Sequence, residues 1–125
     1  MNDDALVRAV ALGRISVGAT LLVAPTRVLR PWLGADAATY AARTLARTAA
    51  GRDVALGIGT LLAARHGAPV RGWLEAGAFA DSVDASLSLT ALVTGKANRW
   101  GSLMALSAGV GSALTCRRLA TRGDG

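Results

Sequence analysis

A chain of 125 residues has the length of one domain. It is 52% hydrophobic and 18% charged, with a net charge of +6 and a mean hydropathy of +0.39, so it departs from soluble averages in the membrane direction while keeping polar groups within its apolar stretches. A lone Cys116 and a lone His66 exclude an internal disulfide and a structural zinc site, and scattered arginines with one Phe and one Tyr argue against nucleic acid as a partner.

The first helix is expected over about residues 5–24, with Asp3 or Asp4 as its cap and Pro25 as its stop. A connector over residues 26–35 follows, carrying Arg27, Arg30, Pro31, Trp32 and Gly34. Asp36 then suits the cap of a second helix running to about Arg65. His66-Gly67-Ala68-Pro69 breaks the chain, because Gly fits a left-handed C-terminal cap and Pro fits a new start. The third helix is expected over about residues 70–94, the turn at residues 95–98, and the fourth helix over about residues 99–119. Period-2 alternation is absent, so no strand competes.

The fold class this implies is all-α: a four-helix transmembrane bundle, up-down-up-down, with residues 1–125 as one membrane domain. Residues 100–116 form 17 uncharged positions, the lower limit for crossing about 30 Å of hydrocarbon. The other three segments reach spanning length only by including charge: Arg14 in the first, Arg52 and Asp53 in the second, Asp81 and Asp84 in the third. Gly101, Ala105, Ala108 and Ser112 share a face of the fourth segment, as in a small-residue seam between membrane helices. Trp32, Trp73 and Trp100 fall near segment ends, where an aromatic belt would lie. A soluble Ala-rich bundle, with the same charges on wet faces, is the alternative, because helical period alone does not separate the two.

With four spans, Arg8, Arg65, Arg71, Arg117, Arg118 and Arg122 share the side of the termini. Arg27, Arg30, Lys96 and Arg99 lie opposite, so the positive-inside rule leans towards cytoplasmic termini, with Arg43 and Arg47 able to erase that lead. The opening Asn2-Asp3-Asp4 lacks the positive region of a secretory leader, so none is expected.

The chemistry-bearing cluster is Gly51-Arg52-Asp53 on the second segment with Asp81 and Asp84 on the third. Asp81 and Asp84 are three apart, hence on one face, and Ser88 continues it. Both pairs lie about 13 residues from the intervening turn, so antiparallel packing brings them to one depth. An Arg52–Asp81 or Arg52–Asp84 ion pair is therefore expected, with Arg14 and Arg47 able to join. Carboxylates facing lipid cost roughly 2.5–3.5 kcal/mol each on insertion scales, so they should face inward. The cluster reads equally as a structural polar lock or as a ligand or proton-handling site. Glu75 and Arg43 are expected at the membrane interface. Gly57-Ile58-Gly59 reads as helix packing, and no nucleotide, metal or nucleophile motif is present.

Gly13-Arg14, Pro25, Arg47-x-x-x-Gly51-Arg52-Asp53-x-x-Leu56-Gly57 and Asp81-x-x-Asp84-Ala85 resemble small, uncharacterised bacterial membrane proteins that are loosely DoxX-like. The resemblance covers about residues 5–115. It implies a four-helix membrane fold and says little of activity. The expectation is thus a multi-pass inner-membrane protein without metal or cofactor, serving as a non-enzymatic accessory or as a small-molecule or lipid-binding bundle. Its partners would be the bilayer and a membrane protein or a second copy. The alternative is an intramembrane enzyme on a lipid-like substrate, with Asp81 or Asp84 as acid or base.

Overall fold

The structure, a computed structural model, describes residues 2–122. They form α1 (Asp3–Val23), α2 (Pro25–Leu33), a 3-10 turn (Gly34–Ala38), α3 (Tyr40–Arg65), α4 (Arg71–Thr94) and α5 (Arg99–Arg122), with no strand among the described residues. The four long helices occupy the expected segments. The connector does not stay irregular: Pro25 ends α1 and also opens α2, since its fixed φ suits a first helical turn.

Capping differs in detail from the expectation. Asn2, not Asp3 or Asp4, caps α1: its Oδ1 accepts from the Ala5 N–H at 2.9 Å. Asp3 and Asp4 fall in the first turn, where their charge still complements the helix dipole. Asp36 sits in the 3-10 turn, and the cap of α3 is Thr39, whose Oγ1 accepts from the Ala42 N–H at 3.2 Å. The turn residues behave as their types require. Gly67 and Gly95 both adopt φ +64°, a left-handed conformation that closes α3 and α4 without a Cβ clash.

Successive long helices run antiparallel. Gly18 of α1 lies against Ala50 and Val54 of α3, and Gly57 of α3 lies against Ala11 and Ile15 of α1. Likewise Gly109 of α5 lies against Asp81 and Ala85 of α4. The α1–α3 and α4–α5 pairs each pack closely along their length, and contact between the two pairs is sparser. One end of the molecule gathers the start of α1, the 66–70 turn and the end of α5, where Arg122 pairs with Asp3 at 3.4 Å. An apolar core of Val7, Leu74, Ala78, Cys116, Leu119 and Ala120 fills this end.

The opposite end is closed by α2. The Asn98 N–H donates to the Trp32 carbonyl at 2.9 Å, and the Trp32 indole N–H donates to the Ser102 Oγ at 2.9 Å. Ser102 is fully buried. Its change to alanine leaves the indole donor without its partner, which costs about 1–3 kcal/mol. A lowered unfolding midpoint for Ser102→Ala is therefore expected by circular dichroism. An unchanged midpoint would remove this bond from the anchoring of α2.

The seam on α5 is rotated from its expected position. Ala108 is exposed, and the buried positions are Ser102, Ala113, Cys116, Leu119 and Ala120. Small residues do line the crossing, but the close approach to α4 is made through Gly109.

Size and burial are inverted relative to a soluble core. The buried side chains are mostly small, including Ala11, Ala46, Ala50, Ala85 and Ala113, with Thr60, Asp81, Ser88 and Ser102 among them. Large apolar side chains point outward along every long helix: Leu12 and Val17 on α1, Leu45 and Leu62 on α3, Phe79 and Leu87 on α4, Met104 and Leu114 on α5.

Candidate functional site

The charged residues within the middle of the helices converge on one network. Arg14 of α1 is its hub. Its Nη1 donates to Asp53 Oδ1 of α3 at 3.2 Å, and its Nη2 donates to Asp81 Oδ2 of α4. Nη2 also lies 3.8 Å from the Cys116 Sγ of α5. One guanidinium on α1 thus reaches the other three long helices. The Arg14 side chain is 9% exposed, and that of Asp81 is 10% exposed.

A second pair flanks this hub. Arg52 meets Asp84 as a fork, Nη2 to Oδ2 at 2.7 Å and Nη1 to Oδ1 at 3.3 Å, and its Nη2 reaches Asp53 at 3.4 Å. The fork matches the planar geometry of guanidinium and carboxylate. Its side chains are more open than the hub, 34% exposed for Arg52 and 42% for Asp84. Asp53 therefore joins the two arginines, and the network holds three carboxylates against two guanidiniums. The Arg52 Nε is buried without a hydrogen-bond partner among the described residues.

The local sequence explains why this arrangement is available. Asp81 follows Gly77 by four residues, one turn along the same face of α4. A Cβ at Gly77 would lie 2.9 Å from Arg14 Nη2, so the glycine makes the space that the guanidinium occupies. Ser88 is buried on the same face, but its hydroxyl donates to the Asp84 carbonyl and not to a carboxylate.

Five of the six residues expected in the cluster meet: Arg14, Arg52, Asp53, Asp81 and Asp84. Of the two expected partners of Arg52, Asp84 is the one engaged, while Asp81 goes to Arg14. Arg47 lies elsewhere, with its Nε donating to the Leu22 carbonyl at 3.3 Å. It is six residues, about 9 Å, nearer the α2 end of α3 than Asp53, which accounts for the separation. Glu75 is exposed and paired with Arg71 at 2.7 Å, and Arg43 is exposed.

Two members were missed from sequence. Cys116 reads as a small apolar residue, and it is one, being 1% exposed in the core. Its sulfur nevertheless completes the surroundings of Arg14. Gly77 carries no chemistry of its own, and only its four-residue spacing from Asp81 hints at a role. Among the described residues, no group of three or more His, Cys, Asp or Glu is arranged to hold a metal ion.

A separate feature lies between α3 and α4 towards the 66–70 turn. An open groove of about 550 Å³ is lined by Ala55, Ile58, Gly59, Leu62, Ala63, His66, Ala68 and Trp73. No member of the charged network lines it.

No protein-family model, curated protein or solved structure matches this chain. Its reading therefore rests on the geometry of its own residues.

Proposed function

We propose that the chain is a multi-pass membrane protein whose central ion-pair network is a structural lock and whose role is non-enzymatic, as an accessory or lipid-binding bundle. The observation that carries this reading is the inverted distribution of side chains: many large apolar residues outside and mostly small ones inside, with the Arg14–Asp81 pair among them and Arg52 and Asp84 on a more open flank. In water such an outer surface would be a large exposed apolar patch. In hydrocarbon it is the expected surface, while charge is expected to be paired inside.

The lengths agree. At 1.5 Å per residue α1 extends about 32 Å and the other long helices more, against a hydrocarbon core of about 30 Å. Hydroxyls on the outer faces are satisfied within their own helices: Ser86 Oγ donates to the Ser82 carbonyl and Thr90 Oγ1 to that of Ser86. Such bonding suits a medium without water.

A lock is favoured over catalysis because each carboxylate of the network is already held by a guanidinium, at 3.4 Å or less. An acid or base would need access to a substrate proton. The basic residues favour neither orientation. With α2 and the start of α3 at one end, Arg27, Arg30, Arg43, Arg47, Lys96 and Arg99 balance Arg8, Arg65, Arg71, Arg117, Arg118 and Arg122 at the other. The lead that favoured cytoplasmic termini disappears.

One observation favours the soluble bundle as a second reading. Among the described residues, α1 is the one helix both long and apolar enough to cross a membrane by length and composition. The other long helices are diluted by charge, as in α3 and α4, or by Ser, Thr and Gly, as in α5. Alkaline carbonate extraction of expressing cells separates the two. The protein is expected to stay in the membrane pellet, and a monodisperse soluble protein without detergent would establish the soluble bundle instead.

A further inference from the structure

We infer that the groove between α3 and α4 is a binding site for an anionic phospholipid, with an acyl chain along the groove and the phosphate at Arg65. This rests on the membrane reading above and adds a ligand to it.

The groove is apolar along its length, and Arg65 is the sequence neighbour of His66 at its turn end. Ala55, Ile58, Leu62 and Ala63 form its α3 wall, and Trp73 stands across from them on α4. Gly59 admits the indole, since a Cβ there would lie 2.3 Å from the Trp73 ring. That close approach seats the indole against α3, so the groove is flanked by a fixed aromatic. His66 and Ala68 mark the end at the turn. Under the membrane reading this end lies at the bilayer surface, where headgroups are.

Charge at that end selects the headgroup. Arg65 immediately precedes His66, is exposed, and has no ion pair among the described residues. His66 is exposed too. A carbonyl only accepts, so its Nδ1–H donates to Leu62 at 2.8 Å, leaving Nε2 as an acceptor for a headgroup hydroxyl and not for the phosphate. Trp73, in the first turn of α4, suits the interfacial level, where indoles gather.

Dimensions favour a lipid chain over a partner helix. From Ala55 to His66 the groove runs about 16 Å along α3. The groove holds about 550 Å³, so a partner helix about 10 Å across would leave most of its body outside it. A single file of methylenes needs far less, and the volume falls in the usual range of small-ligand sites, about 300–1,000 Å³.

The test uses the full chain in mild detergent, offered dioleoyl phosphatidylglycerol or dioleoyl phosphatidylcholine and read by native mass spectrometry. Phosphatidylglycerol should be retained at one per chain, about fivefold more than phosphatidylcholine, the equivalent of what one arginine contributes towards an anionic lipid. Arg65→Gln should remove that preference and leave phosphatidylcholine retention unchanged. Ala55→Phe fills the groove from an exposed position and should lower retention of both lipids, with helix content unchanged by circular dichroism. Equal retention of the two lipids by the native chain, or full retention by Ala55→Phe, overturns the proposal. A chain that pellets with membranes yet shows no preference loses the lipid site alone, whereas one that purifies without detergent loses the membrane reading and the site together.

Discussion

Replacing Arg14 with methionine should destabilise the protein more than any other single change in the charged network. Methionine keeps much of the apolar stem and removes the guanidinium. Asp53 and Asp81 then lose their shared partner at the middle of the bundle, where their side chains are 18% and 10% exposed. Breaking a buried ion pair by removing one partner costs about 3–5 kcal/mol, because the remaining charge is left uncompensated. That is a large share of a typical stability of about 5–15 kcal/mol. Arg52 alone would then face three carboxylates.

The cause of the loss can be separated from its size. If the penalty is uncompensated charge, Arg14→Met combined with Asp53→Asn and Asp81→Asn should be more stable than Arg14→Met alone. Arg52→Met should cost less than Arg14→Met, since the fork to Asp84 sits on the more open flank. Thermal unfolding in detergent, followed by circular dichroism, gives both comparisons. The hub assignment is wrong if Arg14→Met unfolds no earlier than Arg52→Met, or if neutralising the two carboxylates recovers nothing.

The existence of this network was legible because charge is conspicuous inside apolar helical segments. The separation of Asp81 from Asp84 put both on one face, and equal distance from the 66–70 turn put Arg52 beside them. Which carboxylate each arginine takes was not legible. It depends on helix rotation about the axis, which the α1–α3 and α4–α5 crossings fix through Gly18, Gly57 and Gly109. Arg14 is the hub because Gly77 leaves it a space, and a space is written in the sequence only as the lack of a side chain. Helix α2 was hidden for a different reason: with Pro at its first and seventh positions and only nine residues, it looks like a connector. It holds its place through tertiary contacts, chiefly Trp32 with Ser102 and Asn98. The rotated seam on α5 has the same origin, since Ser102, Gly109 and Ala113 offer a second row of small residues beside Gly101, Ala105, Ala108 and Ser112.

Glycine substitutions along α1 and α3 should divide sharply by what faces them. A Cβ at Gly18 would lie 2.7 Å from Val54 Cγ2 and 2.8 Å from the Ala50 carbonyl oxygen. At Gly57 it would meet the Ala11 carbonyl oxygen and Ile15 Cγ1, each at 2.7 Å. Both sites oppose backbone, which cannot rotate away as a side-chain tip can, so alanine must push α1 and α3 apart. Overpacking of this kind costs about 1–3 kcal/mol per site, and the Gly18→Ala, Gly57→Ala pair should lower stability by more than either change. Separation of these helices also draws Arg14 from Asp53, so the loss extends to the hub. Gly13 and Gly51 lie on the same two helices with open space where a Cβ would stand. There alanine should stabilise by up to about 1 kcal/mol, through helix propensity alone. Unfolding midpoints for the four single variants and the double variant test the division. If Gly18→Ala and Gly57→Ala behave like Gly13→Ala and Gly51→Ala, the two helices do not cross at these glycines and the placement of Arg14 between them falls as well.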